Sequence, residues 1–331
     1  MNKLDFIAVG DVVTDAFIRL KDAKVTCDVD EENCQISMRF GDKIPYQDVT
    51  IVKGVGNSPN ASVAASRLGL DTGLVTDLGD DEVGSEIVDY LREQNVDTHY
   101  FSVHSGQKSN YHYVLWYESD RTILVKHEAY KYKWPVLNTD PAPTWLYLSS
   151  LGAGTEDYHQ AIVEYLKEHE EVKLAFQPGT FQLKMGDKLK EIYARAEVVF
   201  MNVEEAKRLL NTTESKIEDL LEELSSWGPE LTVITDGPRG AYLRKGSDNW
   251  FMPIYPDIAP PYERTGAGDA FASTFTAALA LGRSPLEALT WAPINSMSVV
   301  QKVGAQEGLL SQKQLLEYLK SAPPDYRARK I

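Results

Sequence analysis

The chain has 331 residues, of which 43% are hydrophobic and 25% are charged, and its formal net charge at pH 7 is −15. This length and composition are typical of a folded protein with a large core, which excludes extensive disorder. An acidic chain is not expected to bind nucleic acid or an anionic membrane, because both require a basic surface. No apolar stretch approaches the roughly 20 residues that span a bilayer. The N-terminus lacks the charged-then-apolar pattern of a signal peptide, so we expect a cytoplasmic protein.

Short apolar strands and amphipathic helices alternate along most of the chain. The predicted strands are 4–9, 73–77, 145–148, 173–176, 198–201 and 231–235. The predicted helices are 59–68, 82–94, 158–168, 188–194, 203–210, 215–227 and 270–281. This alternation predicts an α/β fold in which helices cover both faces of a mostly parallel sheet. Ligands of such sheets bind at the carboxyl ends of the strands, where Asp15, Asn202 and Thr235 fall.

Two segments, about 17–53 and 108–132, contain strand-like runs without an intervening helix. Their alternation of apolar and polar residues predicts a small sheet with one covered face, within a single domain over residues 1–331. For the run from Tyr111 to Tyr117, the alternative is a core strand of the main sheet. The tail, residues 323–331, is predicted to be a frayed end.

The two cysteines, Cys27 and Cys34, lie close together in a polar stretch. No further His or Cys stands at metal-ligand spacing. A disulfide between them is one interpretation, and the expected cytoplasmic location favours a reduced pair.

The stretch Gly266-Ala267-Gly268-Asp269, at the start of the predicted helix 270–281, is the most informative in the chain. Glycines let the backbone approach a ligand closely, and the first N–H groups of a helix bind anions. A carboxylate in the same turn would repel a resting phosphate, but it can take a proton from a hydroxyl that attacks the phosphate. The stretch therefore predicts phosphoryl transfer to an alcohol. The alternative is an ordinary helix start with Asp269 as its N-cap residue.

This stretch resembles the C-terminal signature of the ribokinase-like (PfkB) family of sugar and nucleoside kinases. Further matches follow in the family's order, from residue 6 to about residue 319. They are Val9-Gly10-Asp11 with Asp15, Gly54-Val55-Gly56-Asn57-Ser58-Pro59-Asn60-Ala61, Gly79-Asp80-Asp81 with Gly84, Asn202 with Glu205, Thr235-Asp236-Gly237-Pro238-Arg239-Gly240, and Gly304-Ala305-Gln306. The resemblance implies a ribokinase-like fold whose small sheet forms a lid over the acceptor site and often a dimer interface.

The resemblance also implies a role for each matched residue on the acceptor side. Asp269 would be the catalytic base, and the backbone N–H groups of Gly266, Ala267 and Gly268 would hold charge that develops on the transferred group. Asp15, Gly56 and Asn60 would bind the acceptor, because a carboxylate and an amide together hold vicinal hydroxyls. From the residues alone, Asp15 is also interpretable as a turn residue and Asn60 as an early helix residue.

The nucleotide side is implied in the same way, with ATP and Mg²⁺ as cofactors. The assigned residues are Asn202, Glu205, Thr235, Gly237, Gly240 and Gly304. Glu205 would act on Mg²⁺ through water, because Mg²⁺ gives up its waters reluctantly. Asn202 and Glu205 also have the spacing of a helix capping box, and Gly240 that of a hairpin glycine.

The sequence departs from the family pattern at Glu263-Arg264, where an Asp-Thr pair is usual. In relatives activated by a monovalent cation that Asp helps to hold K⁺, which makes Glu263 the candidate cation ligand here. Arg264 adds a positive charge at this place. Its side chain would contact either a nucleotide phosphate or, as a salt bridge, Glu263. We therefore expect weak activation by K⁺.

The leading hypothesis is a cytoplasmic, ATP-dependent kinase for a ribose-like or ketose-like sugar, assembled as a homodimer through the lid. The second is a nucleoside kinase of the adenosine type, in which Phe17, Tyr113 or Trp116 would stack on the base. The third is a non-catalytic sensor of a sugar or nucleotide, which would not need the base Asp269.

Overall fold

The computed structural model describes residues 4–27, 34–118, 120–137, 142–214 and 216–331. The strands are β1 (Phe6–Val9), β2 (Val13–Leu20), β3 (Lys24–Thr26), β4 (Gln35–Ser37), β5 (Tyr46–Val55), β6 (Thr72–Gly79), β7 (Val96–Asp97), β8 (Phe101–His104), β9 (Tyr111–Tyr117), β10 (Asp120–Leu124), β11 (Trp145–Leu148), β12 (Lys173–Phe176), β13 (Val198–Asn202), β14 (Leu231–Thr235), β15 (Ala241–Lys245), β16 (Asp248–Met252) and β17 (Arg329–Lys330). The α-helices are α1 (Asn57–Arg67), α2 (Glu82–Glu93), α3 (Glu156–Glu168), α4 (Thr180–Met185), α5 (Lys190–Arg195), α6 (Val203–Leu210), α7 (Ile217–Ser225), α8 (Ala267–Ala280), α9 (Pro285–Val299) and α10 (Gln312–Lys320).

The large sheet has the order β17-β16-β15-β14-β13-β12-β11-β1-β6-β7, with β8 also paired to β6. The strands from β14 through β7 run parallel. Both faces are covered, because successive residues of β1 enter different cores: Phe6 and Ala8 lie in one, and Ile7 and Val9 in the other. The predicted α/β fold with a mostly parallel sheet is therefore confirmed, and the predicted strands 145–148, 173–176 and 231–235 have the observed bounds.

The antiparallel end of this sheet was not predicted. Strands β15, β16 and β17 extend the sheet beyond β14. The prediction of a frayed tail was wrong, because Arg329 and Lys330 pair with Phe251 and Trp250. The guanidinium of Arg329 also lies 5.1 Å from the Phe251 ring centroid. A two-residue strand is too short to show the alternation of apolar and polar residues. The sequence of the tail therefore could not predict β17, which forms only because β16 offers a free edge.

A separate four-stranded sheet, which we call the lid sheet, has the order β10-β9-β2-β5. The interpretation of Tyr111–Tyr117 as a core strand of the main sheet was therefore wrong, and the expected small sheet is present. It begins earlier than predicted, at Val13, because β2 leads directly out of the turn after β1. Strands β3 and β4 form a two-stranded hairpin outside it.

The structure joins Cys27 and Cys34 by a disulfide, so the expectation of a reduced pair was wrong. Both cysteines flank residues 28–33, which lie outside the described part of the chain. The cytoplasmic location remains a prediction. Within the described ranges, no helix is both long enough and apolar enough to cross a membrane.

Candidate active site

Asp269 lies in the first turn of α8, where three side-chain amides hold its carboxylate. The amide of Asn57 donates to Oδ1 at 2.8 Å, that of Asn60 to Oδ2 at 2.8 Å, and that of Gln177 to Oδ1 at 3.1 Å. Asn57 and Asn60 come from the first turn of α1, and Gln177 follows β12. The N-cap of α8 is Gly266, so the interpretation of Asp269 as the N-cap residue was wrong.

The surroundings of Asp269 raise the pKa of its carboxyl group. Removal of the carboxylate from water raises the pKa of Asp269 above its ordinary value. The amides of Asn60, Gln177 and Asn57 and the positive charge of Arg121 act in the opposite direction without cancelling this effect. A carboxylate whose pKa is raised accepts a proton more readily than an ordinary aspartate, which suits a general base.

Sequence reasoning had nominated Asn60 but missed Asn57 and Gln177. Asn57 lies within the glycine motif quoted for the acceptor side, so a signal for it was present. Gln177 had none, because only the parallel pairing of β12 with β11 and β13 brings it to the site. Gln306, from the predicted segment Gly304-Ala305-Gln306, donates to the Asn60 Oδ1 at 2.9 Å. This hydrogen bond fixes the orientation of the Asn60 amide that donates to Asp269.

The turn before Asp269 requires glycine at one position and leaves space at another. Gly266 has a φ of +82°, and a Cβ there would lie 2.4 Å from the Ala305 Cβ. A Cβ at Gly268 would meet no atom within 4 Å. Ala267 and Gly268 line a cavity of about 460 Å³, at the N-terminus of the 14-residue helix α8. The start of this helix therefore faces a space that can hold an anionic group.

Three of the predicted nucleotide residues, Thr235, Gly237 and Gly240, line the same cavity. The rest of the wall is largely apolar and includes Tyr255, Phe271, Pro293, Met297 and Val300. Sequence reasoning missed this apolar part, which comes from α8, α9 and the segment after β16. Gly304 is not among the residues that line this cavity, and a Cβ there would be 3.1 Å from Val52 of the lid sheet. Its assignment to the nucleotide stays a prediction.

Asn202 and Glu205 form the capping box at the start of α6. The Asn202 Oδ1 accepts from the Glu205 N–H at 2.8 Å, and the Glu205 carboxylate accepts from the Asn202 N–H at 2.9 Å. Burial raises the pKa of Glu205, and the charge of Asp269 acts in the same direction. The two carboxylates are thus close enough to influence each other. No group of three or more potential ligands within the described ranges could enclose a metal ion.

The acceptor-side residues form a polar cluster between the end of β1 and the lid sheet. The Asp15 Oδ1 lies 3.4 Å from the His112 Nδ1, and the Asp11 Oδ2 lies 3.4 Å from the His127 Nδ1. The two imidazole rings are 5.4 Å apart. Gly56 has a φ of +123°, and a Cβ there would be 2.7 Å from the Asp11 carbonyl oxygen. Sequence reasoning had nominated Asp15 and Gly56 here, but neither histidine.

Glu263, the predicted candidate for a monovalent cation, is 1% exposed. Its Oε1 accepts hydrogen bonds from the backbone N–H and the hydroxyl of Thr265, and lies 3.5 Å from the Arg121 Nε. The proposed salt bridge with Arg264 is not formed. Arg264 instead lines the nucleotide-side cavity, where its charge acts on Asp257.

Known proteins resemble this chain over nearly its whole length. The profile of the pfkB family carbohydrate kinases matches residues 25–312. The ribokinase of Bacillus subtilis is 27% identical over 280 residues, which cover 80% of this chain and 87% of that protein. The 5-dehydro-2-deoxygluconokinase of the same organism is 24% identical over 303 residues, covering 83% and 89%.

A solved structure shows the same fold. The Arabidopsis thaliana ribokinase complexed with ribose and ATP has a TM-score of 0.78 and 19% identity, and the match covers 96% of this chain and 99% of that one. The ribokinase-like fold expected from the motifs is thereby confirmed. Because the family profile spans most of the chain, the protein belongs to the pfkB family of carbohydrate kinases and is a phosphotransferase that acts on an alcohol group.

Proposed function

We propose that the protein is an ATP-dependent kinase that phosphorylates a hydroxyl of a small, uncharged sugar of the ribose or ketose type. The observation that carries the proposal is the position of Asp269. Three amides hold its carboxylate between the proposed acceptor site and the cavity. Two of these amides, those of Asn57 and Asn60, belong to the acceptor-side motif. Gly268, the residue before Asp269, lines the cavity.

ATP is the proposed phosphoryl donor. The apolar wall of the cavity suits a nucleobase, and the start of α8 suits its phosphates. The related Arabidopsis ribokinase was solved with ATP. Mg²⁺ fits this arrangement as an ion held mainly by nucleotide oxygens and water, with Glu205 as the nearby carboxylate. When bound, it would supply positive charge to the phosphates.

The chemical step places the chain's own groups around the acceptor oxygen. Asp269 accepts the proton of the acceptor hydroxyl while that oxygen forms a bond to the terminal phosphorus of ATP. The bond from this phosphorus to the bridging oxygen of ADP breaks, and ADP leaves. The N–H groups of Gly266, Ala267 and Gly268 face the transferred group and stabilise its charge.

The acceptor pocket supports an uncharged, polyhydroxylated substrate. The Asp11 Oδ2, Asp15 Oδ1, His112 Nε2 and His127 Nδ1 are buried and have no hydrogen-bond partner among the described residues. Buried polar atoms of this kind are costly unless they are satisfied, and several hydroxyls of one sugar would satisfy them. Two carboxylates at the same place disfavour a carboxylate or phosphate on the acceptor.

A nucleoside acceptor has less support from the residues that were predicted to stack on a base. Tyr113 is 49% exposed and, as the residue after His112 in β9, lies on the opposite face of the strand, whereas Phe17 is 1% exposed. The Trp116 ring is occupied by the guanidinium of Arg19, which lies 4.7 Å from its centroid. We therefore place sugars ahead of nucleosides.

We further propose a homodimer formed through the outer face of the lid sheet. Ile51, Ala16, Tyr113 and Leu124 are cross-strand neighbours on this face. Ile51, Tyr113 and Leu124 are each about half exposed, and such a continuous apolar row is typical of an interaction surface. A second lid sheet related by a two-fold axis would cover it.

A coupled assay of ADP release tests the proposed function. The acceptor panel contains pentoses, ketohexoses, nucleosides, sugar phosphates and keto-deoxy sugar acids, each at several concentrations with saturating ATP. We expect the highest kcat/KM for an uncharged sugar. A preference for an acid or a phosphorylated sugar would contradict the assignment of the acceptor pocket, and a nucleoside preference would favour the alternative.

A further inference from the structure

Glu263 is a buried carboxylate only partly satisfied by its neighbours. Its Oε1 accepts two hydrogen bonds from Thr265, whereas Oε2 is buried and has no hydrogen-bond partner among the described residues. An ionised carboxylate in such a place requires a cation nearby, because the loss of hydration is not recovered by hydrogen bonds to one oxygen alone.

The nearby cation belongs to the lid sheet. The Arg121 Nε lies 3.5 Å from the Glu263 Oε1, and the Arg121 side chain is 26% exposed. Arg121 is the cross-strand neighbour of Trp116, which is in turn the neighbour of Arg19. These three residues form one row across β10, β9 and β2, on the face opposite Tyr113.

This row contacts two consecutive residues just before the Gly266 turn. Arg121 reaches Glu263, while Arg19 donates to the Tyr262 hydroxyl at 3.1 Å and the Trp116 ring lies 5.2 Å from the Tyr262 ring. The backbone N–H groups of Tyr262 and Glu263 both donate to the Val300 carbonyl, which anchors this segment to the end of α9. The lid sheet therefore holds the segment that leads to Asp269 by one ion pair, one hydrogen bond and one aromatic contact.

We propose that Arg121 is a positioning residue, a counter-ion on the lid sheet that neutralises Glu263 and thereby makes the turn before Asp269 independent of any bound monovalent cation. The charge of Arg264 does not serve this purpose, because Arg264 lines the opposite, nucleotide-side cavity. The role in catalysis rests on the proposed kinase function, whereas the neutralisation of Glu263 does not.

Thermal unfolding tests the neutralisation without reference to activity. The Tm of the wild-type protein, Arg121→Ala and Arg121→Lys is measured in KCl and in tetramethylammonium chloride at equal ionic strength. We expect Arg121→Ala alone to gain about 3 °C or more in KCl, because K⁺ can enter the space left beside Glu263 and the organic cation cannot. In the double variant Arg121→Ala/Glu263→Gln this gain should disappear, since the amide carries no charge.

Kinetics test the consequence for the active site. For the wild type, kcat/KM for the acceptor should differ less than about threefold between the two salts, because the guanidinium of Arg121 already supplies the positive charge beside Glu263. In tetramethylammonium chloride, Arg121→Ala should lose roughly tenfold or more in kcat/KM, and added K⁺ or guanidinium should restore much of the loss. Arg121→Lys should keep most of the wild-type behaviour.

Arg19→Ala is the matched control, because it removes an arginine of the same row that contacts Tyr262 and forms no ion pair with Glu263. Its Tm and kinetics should show no dependence on the choice of cation. The proposal is overturned if Arg121→Ala responds to K⁺ no more than Arg19→Ala does, or if the wild type requires K⁺. A wild type that releases no ADP with any acceptor would instead contradict the proposed function, and the Tm comparison would still decide the role of Arg121.

Discussion

Two buried carboxylates close together in the sequence, Asp269 and Glu263, are stabilised in different ways. Asp269 is surrounded by neutral amide donors, which hold its position and leave its pKa raised. Glu263 accepts hydrogen bonds from Thr265 and is paired with Arg121 of the lid sheet. The first arrangement keeps a carboxylate available to accept a proton, and the second keeps one neutralised within the structure.

Asp269→Asn should retain ATP binding and lose turnover. The amide preserves the size of the side chain but cannot accept the proton of the acceptor hydroxyl, so kcat should fall roughly 10²–10⁴-fold. Steady-state ADP release and calorimetric ATP titration measure the two effects. Asp248→Asn, at an exposed carboxylate paired with Lys330, is the control. A kcat of Asp269→Asn close to that of the wild type would remove Asp269 from the mechanism.

The pH dependence of kcat/KM should reflect the raised pKa of Asp269. In the proposed mechanism the carboxylate must be ionised, so activity should fall on the acidic side at a higher pH than an ordinary aspartate would give. Each amide that donates to the carboxylate favours its ionised form and lowers its pKa. Asn57→Ala removes one donor and should therefore move the acid limb of the profile to still higher pH.

The control for this shift is Ser66→Ala, on the same helix as Asn57. The Ser66 hydroxyl donates to the Gln94 carbonyl oxygen, away from Asp269. Its pH profile should match that of the wild type. An acid limb that moves to lower pH in Asn57→Ala, or does not move, would show that Asp269 is not the group that titrates.

At the scale of elements, the site depends on how two helices begin. Helix α1 begins after Gly56 and α8 begins at Gly266, and both glycines have positive φ values that other residues adopt at a cost. The two helices lie against each other with their first turns together, which brings Asn57 and Asn60 to Asp269. The conformation of each glycine turn therefore sets the geometry of the carboxylate.

Two glycines of the same turn should respond to alanine in different ways. Gly266→Ala places a Cβ against Ala305 at a positive φ, and we expect a loss of about 2 kcal/mol or more in the free energy of unfolding. Gly268→Ala has open space and lies within the helix, so its stability should be equal to or slightly above that of the wild type. Its added methyl group, however, enters the cavity and should raise the KM for ATP. Denaturant unfolding and ATP kinetics distinguish the two, and equal stability of both variants would contradict the explanation.

At the scale of the whole molecule, the lid sheet presents two chemically different faces. The inner face carries Asp15, His112 and Arg121 towards the active site, and the outer face carries the apolar row of Ile51, Tyr113 and Leu124. Trp116, in the same strand as Tyr113, is 3% exposed and lies on the inner face. Strand alternation gives this result, because Trp116 lies three positions after Tyr113, and an odd offset places two side chains on opposite faces of a strand.

Tyr113→Glu should therefore separate the proposed dimer, because it places a charge in the middle of the apolar row. Light scattering at micromolar concentration should show a dimer for the wild type and a monomer for the variant. The monomer should have a higher KM for the sugar than the wild type and a similar KM for ATP, since the proposed acceptor site lies against the lid sheet. Val103→Glu, at an exposed apolar residue of β8 in the large sheet, is the control and should remain dimeric. A fully active wild-type monomer would contradict the dimer.

Local sequence patterns determined most elements of this protein and singled out its candidate catalytic carboxylate. Strands such as 145–148 and 231–235 were predictable because their apolar runs are bounded by turn residues, and Asp269 because glycines and a long apolar helix surround it. Only the tertiary structure placed Gln177 and Asn57 on Asp269, paired the tail with β16, and brought Arg121 to Glu263. Each of these contacts joins segments that are distant in the sequence or depends on which face of a strand turns inward. Propensity and periodicity act over a few neighbouring residues, whereas the partner of a buried charge is decided by the packing of whole sheets and helices.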